Sequence, residues 1–212
     1  PVVLAQCGIG KVNAAFAATV LLDRLGCRDV VFCGVAGSLN PELRVGDVLI
    51  ARRLVQHDYG ALADRAFWPA EPGRIPVAEA AARHEGYALP QGLVQRLEAL
   101  AQTARLPPIR VQGVEREPRI RFGVVLTGDT FLNCAYTRSE LQALHEGDAI
   151  EMEGAAVAQV AAKFGAPCVV IRTISDEASG GSHLAFAEFA ALAAANSAAL
   201  TPAVVKILVE AA

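Results

Sequence analysis

The segment Cys168–Ile174 reads CVVIRTI, β-branched and apolar except for one charge, Arg172. A strand of that composition is covered on both faces, which requires a sheet with helices packed on either side. Just before it, Val157, Val160, Ala161 and Phe164 follow the i, i+3, i+4, i+7 spacing of one helix face. Gly165 and Pro167 then supply a helix stop, since glycine accepts a left-handed C-terminal residue and proline cannot continue the ladder. A short apolar segment ending in Glu151-Met152-Glu153 leads into that helix, and Ser175-Asp176 opens a polar loop after the strand. The stretch Ala149–Phe186 therefore gathers Glu151, Glu153, Arg172, Ser175 and Asp176 where two neighbouring strands end. Ligands of α/β sheets bind outside the carboxyl ends of the strands.

The rest of the chain repeats this grammar. Val2–Gln6 is a short β-rich run followed by Cys7-Gly8-Ile9-Gly10-Lys11 and a helix to about Leu25, ended by Gly26. Val30–Cys33 reads as a buried strand ending in a glycine turn, Gly34–Ser38. Strand, turn, helix, strand implies an α/β fold, a mixed, mostly parallel sheet flanked by helices. Gly8–Lys11 lacks the spacing of a P-loop or a dinucleotide fingerprint, so a tight turn with close helix packing is favoured over a phosphate cradle.

Val48–Val55 is another strand, followed by a Pro/Gly-rich stretch to Pro90 with little periodicity. A loop that long serves function or an interface, and Phe67, Trp68 and Tyr87 are its candidates for covering a pocket or meeting a partner subunit. Leu93, Leu97, Leu100 and Ala101 predict a helix ended by Pro107-Pro108. Ile109–Val114 and Ile120–Thr127 predict strands, and Ser139–His145 a helix. Phe186, Phe189, Ala190 and Ala193 begin a long helix expected to bend near Pro202. Residues 1–212 form a single domain without internal repeat or linker.

Composition excludes several functions. The 212 residues are 53% hydrophobic and 19% charged, enough to fill a large core. A net charge of −3, without a basic cluster, gives no field for nucleic acid or an anionic membrane. No window of about 18 residues reads as a membrane span. The five cysteines, at 7, 27, 33, 134 and 168, form no Cys-x-x-Cys pair and lie in or beside apolar runs, as buried thiols of a reducing cytosol do. The histidines stand apart from one another and from the cysteines, so neither a metal nor another cofactor is expected.

Each carboxylate of the central stretch has a structural explanation by itself. Glu151 and Glu153 flank a helix start, where negative charge is favoured, and Asp176 can cap a turn. Together, carboxylates around one strand edge are equipment for cleaving a bond to a sugar. One donates a proton to the leaving group, and others hold hydroxyls or activate water against an oxocarbenium-like centre.

Five segments occur in one order: Cys7–Val12 (CGIGKV), Arg44–Val48 (RVGDV), Thr127–Phe131 (TGDTF), Glu151–Ala155 (EMEGA) and Arg172–Asp176 (RTISD). In these the chain resembles the 5'-methylthioadenosine/S-adenosylhomocysteine nucleosidases of the purine nucleoside phosphorylase superfamily. The resemblance covers the whole chain and is weakest over residues 61–108. It implies hydrolysis of the N-glycosidic bond of these nucleosides. Asp176 would act on adenine N7, and Glu153 would hold ribose hydroxyls. Arg172 would lie near the water, and Ser175 would orient the aspartate. Met152 would pack on the ribose, Phe131 would stack on the purine, Leu132 would offer it backbone groups, and Phe186 would line the 5'-alkylthio pocket. The family is homodimeric, with an aromatic of the partner's long loop closing that pocket; Phe67 is the candidate. Glu151 receives no role.

Two departures follow. Superfamily phosphorylases grip phosphate with an arginine and a serine where this chain has Phe32 and Val35, which cannot hold a dianion. That favours water as nucleophile, although the resembled nucleosidases also carry a serine at the place of Val35. The family's water-activating glutamate lies after its first strand, ahead of Pro1, so the natural protein is expected to be longer, with N-terminal strands beyond those seen here. The alternatives are a futalosine or aminofutalosine hydrolase, a phosphate-dependent phosphorylase, and a nucleoside-binding module without catalysis.

Overall fold

A computed structural model of the chain describes all residues except 64–65, 76–84, 112, 179–181 and 211–212, and all side chains of the remainder except 182–188 and 190–193. In chain order the elements are α1 (Lys11–Thr19), which runs on as a π-helical turn over Val20–Arg24, β1 (Val30–Ser38), β2 (Val48–Gln56), β3 (Gly60–Ala63), β4 (Ala66–Pro69) and β5 (Tyr87–Ala88). They continue with α2 (Gln91–Thr103), β6 (Ile109–Val111), β7 (Val114–Arg116), β8 (Ile120–Thr127), α3 (Ala135–His145), β9 (Ala149–Glu151), α4 (Gly154–Phe164), β10 (Cys168–Asp176) and α5 (Ser182–Val209).

Six strands form one mixed sheet of order β10-β1-β9-β8-β2-β5. The long registers are parallel: β1 with β10 and β2 with β8. A short antiparallel contact, Ile171 to Ile50 through Thr173 to Val48, also joins β10 to β2, so the sheet curls back on itself. Such closure buries the strands on both faces, as their near-continuous apolar sequences require. Leu93 and Leu97 of α2 and Leu200, Val204 and Leu208 of α5 pack on Val48, Ile50, Val169 and Ile171. Elsewhere Ala14, Ala18 and Leu22 meet Ala156, Val157 and Ala161 of α4 around Val30. Among the described residues no helix is long and apolar enough to cross a membrane.

Several expectations change in detail. Val2–Gln6 forms no strand, because β-rich sequence needs a partner edge and none of the described strands pairs with it. Gly34–Ser38 is not a turn; β1 continues through it. The glycines serve close approach instead. A Cβ on Gly34 would lie 2.0 Å from Arg172 Nη1, and one on Gly37 would lie 3.0 Å from Asp176 Oδ1. The long loop contains a β3–β4 hairpin, and Ile109–Val114 is not one strand but part of a hairpin, β6–β7. Phe164 is exposed rather than on the buried face, since α4 packs through Ala155, Ala156, Val157, Ala158 and Ala161. The predicted stop is present: Gly165 is left-handed, and the Gly165 and Ala166 N–H groups bond back to Ala162 and Ala161. Cys33 and Cys134 are exposed and only Cys7, Cys27 and Cys168 are partly buried. Cys134 precedes α3, a helix with no buried residue, so an apolar neighbourhood in sequence gave it no cover.

The turn Arg44–Asp47 ties the sheet to its coverings. Asp47, 2% exposed, accepts from the Arg116 guanidinium of β7 at 2.8 and 3.0 Å, from the Arg119 N–H at 2.9 Å and from the Arg44 N–H at 3.0 Å. The backbones of Gly46 and Asp47 bond Ile174, two residues before Asp176, and Asn196 of α5 donates to the Gly46 carbonyl. Removing one partner of a buried pair strands the other charge, at a cost of about 3–5 kcal/mol. Asp47→Ala is therefore expected to lower stability by about that much in urea unfolding. Arg74→Ala, which breaks the exposed Arg74–Glu71 pair, should cost less than about 1 kcal/mol.

Candidate active site

β8 runs parallel to β9, β9 antiparallel to β1, and β1 parallel to β10, so their last residues meet through register and not through a common direction. Thr127 of β8 pairs with Glu151 of β9, and Gly37 of β1 faces both Ile150 of β9 and Asp176 of β10. The ends of β8 and β9 thus meet the end of β10 from the opposite direction, with β1 between the glutamates and the aspartate.

Glu151 is the most heavily bonded group there. Its Oε2 takes the Glu153 N–H at 3.0 Å and the Gly154 N–H at 2.7 Å, closing the start of α4 where backbone donors have no helical partner. Arg172 Nη2 donates to the same oxygen, and the Thr127 hydroxyl donates to Oε1. The Thr127 oxygen in turn accepts the Ala155 N–H at 2.9 Å. Arg172 is 3% exposed; its guanidinium carbon lies 4.5 Å from the centre of the Phe32 ring, and Nη2 is 3.4 Å from Glu153 Oε2.

Glu153 is held more loosely. Oε1 accepts the Gly10 N–H at 2.8 Å, and Arg172 is its other hydrogen-bond donor. Burial pushes its pKa up and the neighbouring Glu151 charge adds to that, while the Gly10 N–H and Arg172 pull only partly in the other direction. Glu153 is the carboxylate of the edge that is most willing to exchange its partners.

Asp176 sits in a separate cradle. The register between β1 and β10 slips at Ala36/Gly37, leaving Ser175 as an extra residue on β10. Bulges of this kind re-aim the side chains next to them. Ser175 Oγ donates to Asp176 Oδ2 at 2.8 Å, and the Ala178 N–H donates to Oδ1 at 2.8 Å. The aspartate is 3% exposed.

The Gly8–Lys11 turn faces this edge, but its donors are committed. The Lys11 N–H binds Asp129 at 2.8 Å, and Lys11 Nζ lies 2.6 Å from Asp58 and 3.8 Å from Asp129. With the Gly10 N–H on Glu153, the start of α1 is satisfied by carboxylates, which fits the tight-turn reading. Burial pushes the Asp58 carboxyl up, but the bonds from Lys11 and from the Asp129 N–H outweigh it and hold the group below the usual range. These contacts dock the turn on the loop that carries Phe131 and Leu132.

Of the other predicted residues, Met152 is half-buried between the two glutamates and Phe131 is 44% exposed at the edge. Leu132 packs on Leu39, Val55, Leu126, Ile150 and Ala178. Phe186 lies in α5, with its side chain outside the described ones. Phe67 and Trp68 stand exposed on β4, whereas Tyr87 packs against the chain's own core. Val35 is half-buried and apolar, opposite Thr173. A cavity of about 280 Å³ bordered by Arg52, Leu89, Val94 and Glu98 shares none of these residues. No cluster among the described residues could hold a metal ion. Sequence reasoning gave no role to Thr127 or Asp129 and read Gly10 and Lys11 only as part of a tight turn; all four lie within the five ordered segments, which was the available signal.

The chain matches the model of the phosphorylase superfamily over residues 1–206. It is 46% identical over 199 residues to a 5'-methylthioadenosine/S-adenosylhomocysteine nucleosidase of Mycobacterium bovis, covering 93% of this chain and 78% of that protein. Against an aminodeoxyfutalosine nucleosidase of Campylobacter jejuni it is 32% identical over 189 residues, covering 88% and 72%. The fold superimposes on a Neisseria meningitidis methylthioadenosine/adenosylhomocysteine nucleosidase, solved with methylthio-immucillin-A, with a TM-score of 0.77 at 32% identity, covering 96% of this chain and 80% of that one. On this match and this identity the chain belongs to the phosphorylase superfamily and, within it, to the 5'-methylthioadenosine/S-adenosylhomocysteine nucleosidase family.

Proposed function

We propose that the chain is an N-glycosyl hydrolase that cleaves 5'-methylthioadenosine and S-adenosylhomocysteine to adenine and the 5-thioribose product. The observation that carries this reading is a pair of differently held carboxylates at one strand edge. Asp176 is fixed by two donors and Glu153 is loosely bonded, the division of labour that glycosidic cleavage needs. Asp176, oriented by Ser175, gives a proton or a hydrogen bond to adenine N7, so the C1'–N9 electron pair leaves with the base. Glu153 holds ribose hydroxyls and faces the positive charge that develops at C1'. Met152 packs on the sugar, Phe131 and Leu132 take the purine, and Phe186 lines the alkylthio pocket. Water adds to C1'. Its proton goes to a base other than Glu151, whose oxygens are occupied by four donors.

Water rather than phosphate fits the charges. A phosphate dianion needs an uncommitted cation, but Arg172 is bonded to Glu151 and Lys11 to Asp58, and Phe32 and Val35 offer neither charge nor hydroxyl. The futalosine alternative is less favoured, since the Mycobacterium bovis methylthioadenosine/adenosylhomocysteine nucleosidase is 46% identical and the Campylobacter jejuni aminodeoxyfutalosine nucleosidase 32%.

The partner is a second copy of this chain. Val12 and Phe16, one turn apart on α1, are 80% and 72% exposed, and Leu62, Phe67 and Trp68 of the β3–β4 hairpin are exposed as well. Such apolar groupings mark association surfaces, and the exposure of Phe67 supports its assignment as the aromatic that closes the other copy's pocket.

Three outcomes are expected. Asp176→Asn should abolish adenine release, followed by liquid chromatography with the full-length protein, while wild-type release should not depend on added phosphate. Phosphate-dependent turnover, or near-normal turnover in the variant, would sink the reading. Glu153→Gln should lose most activity yet unfold at the same or a higher temperature at pH 7. A carboxyl with a raised folded pKa lends stability below its unfolded value and loses it as pH rises through the folded one; the neutral amide escapes that loss. A clear drop in the unfolding temperature would contradict this. Phe16→Glu should shift the protein from dimer to monomer in light scattering and raise KM; an unchanged dimer removes α1 from the interface.

A further inference from the structure

Glu151 is the carboxylate without a part in bond cleavage, yet it holds more of the site than any other group. The Arg172 guanidinium lies in a slot closed on three sides. Phe32 covers one face at 4.5 Å, Gly34 abuts Nη1 so closely that a Cβ would come within 2.0 Å, and Glu151 holds Nη2. Glu153 reaches for the same nitrogen from 3.4 Å. The two glutamates therefore compete for one donor. Glu151 prevails because the Thr127 hydroxyl and the Glu153 and Gly154 N–H groups fix it in place.

We propose that Glu151 is a positioning residue: by holding Arg172 Nη2 it keeps the guanidinium from closing on Glu153, and so leaves the Glu153 oxygens free to take sugar hydroxyls. The functional part of this inference rests on the role given to Glu153 above. The charged or titratable groups facing Glu153 are Glu151 at the end of β9, Arg172 on β10 and Cys7 in the N-terminal segment, whose thiol is itself pushed up by burial and by the Glu153 charge. Neutralising Glu151 removes a like charge and releases Arg172 toward Glu153. Both changes favour the ionised Glu153, which then binds Arg172 instead of substrate.

The test follows the Glu153 carboxyl directly, by carbon-13 NMR titration of the ligand-free protein, with the resonance assigned from Glu153→Gln. Wild type should titrate above the ordinary glutamate range. Glu151→Gln should move the midpoint down by about one pH unit. Glu151→Asp, which keeps the charge but draws it back from Arg172, should move it the same way by less. In the assay, KM for methylthioadenosine should rise about tenfold in Glu151→Gln, the equivalent of one lost hydrogen bond, with a smaller change in kcat. A midpoint that stays put or moves up, in whichever variant folds, overturns the proposal. If wild type releases no adenine the functional reading fails, while the titration still decides whether Glu151 governs Glu153.

Discussion

The burial of Arg172 is the constraint on which the rest of the structure depends. A guanidinium at 3% exposure is tolerable only when opposite charge and hydrogen bonds replace water. Glu151 supplies the charge, and its own oxygens are satisfied by Thr127 and by the first N–H groups of α4. One ion pair therefore fixes β10 against β9, β8 and the start of a helix. Two features that look incidental in sequence follow from it. Gly34 must lack a side chain so that Nη1 has room, and Phe32 must be flat and apolar so that the guanidinium has a wall.

Asp47 performs the matching task on the other flank of β10. It joins the β6–β7 hairpin to the start of β2, and its backbone steadies Ile174 just ahead of the Ser175 bulge. Between these two buried acids, β10 is held rigidly enough for a one-residue irregularity to aim Asp176 reproducibly. Precision of that kind suits the proton transfer proposed for Asp176. Glu153 is different: its second donor stands off at 3.4 Å and its proton affinity is raised, so it stays responsive to a ligand. Rigidity at the aspartate and looseness at the glutamate are both consequences of how the strand ends are tied.

Much of this was legible in the chain. The apolar run Cys168–Ile174 could only be an inner strand, Gly165 and Pro167 could only end α4, and the spacing of Leu93 and Leu97 gave the buried side of α2. That Glu151, Glu153, Arg172, Ser175 and Asp176 gather at strand ends was legible too, because the strands that carry them are local features of the chain. Misreadings came where local sequence has two uses. Gly34 and Gly37 looked like a turn because glycine permits one, but here their missing side chains admit Arg172 and Asp176 from a strand far away in sequence. Val2–Gln6 has strand composition, yet composition cannot provide a neighbouring edge. Phe164 was assigned to the interior from its helical spacing and Cys134 from its apolar neighbours, and only packing shows which side a helix presents.

The sequence by itself determined the fold class, the family and the identities of the charged groups at the strand ends, because hydrophobic period, helix stops and ordered segments are local properties of the chain. Only the tertiary structure decided how those charges are shared. That Arg172 pairs with Glu151 more closely than with Glu153 depends on distances of a few tenths of an ångström to several ångströms between segments remote in sequence. Electrostatic energies in a low-dielectric interior change steeply over that range, so the difference between a structural and a responsive carboxylate lies in the packing and not in the letters Glu-Met-Glu.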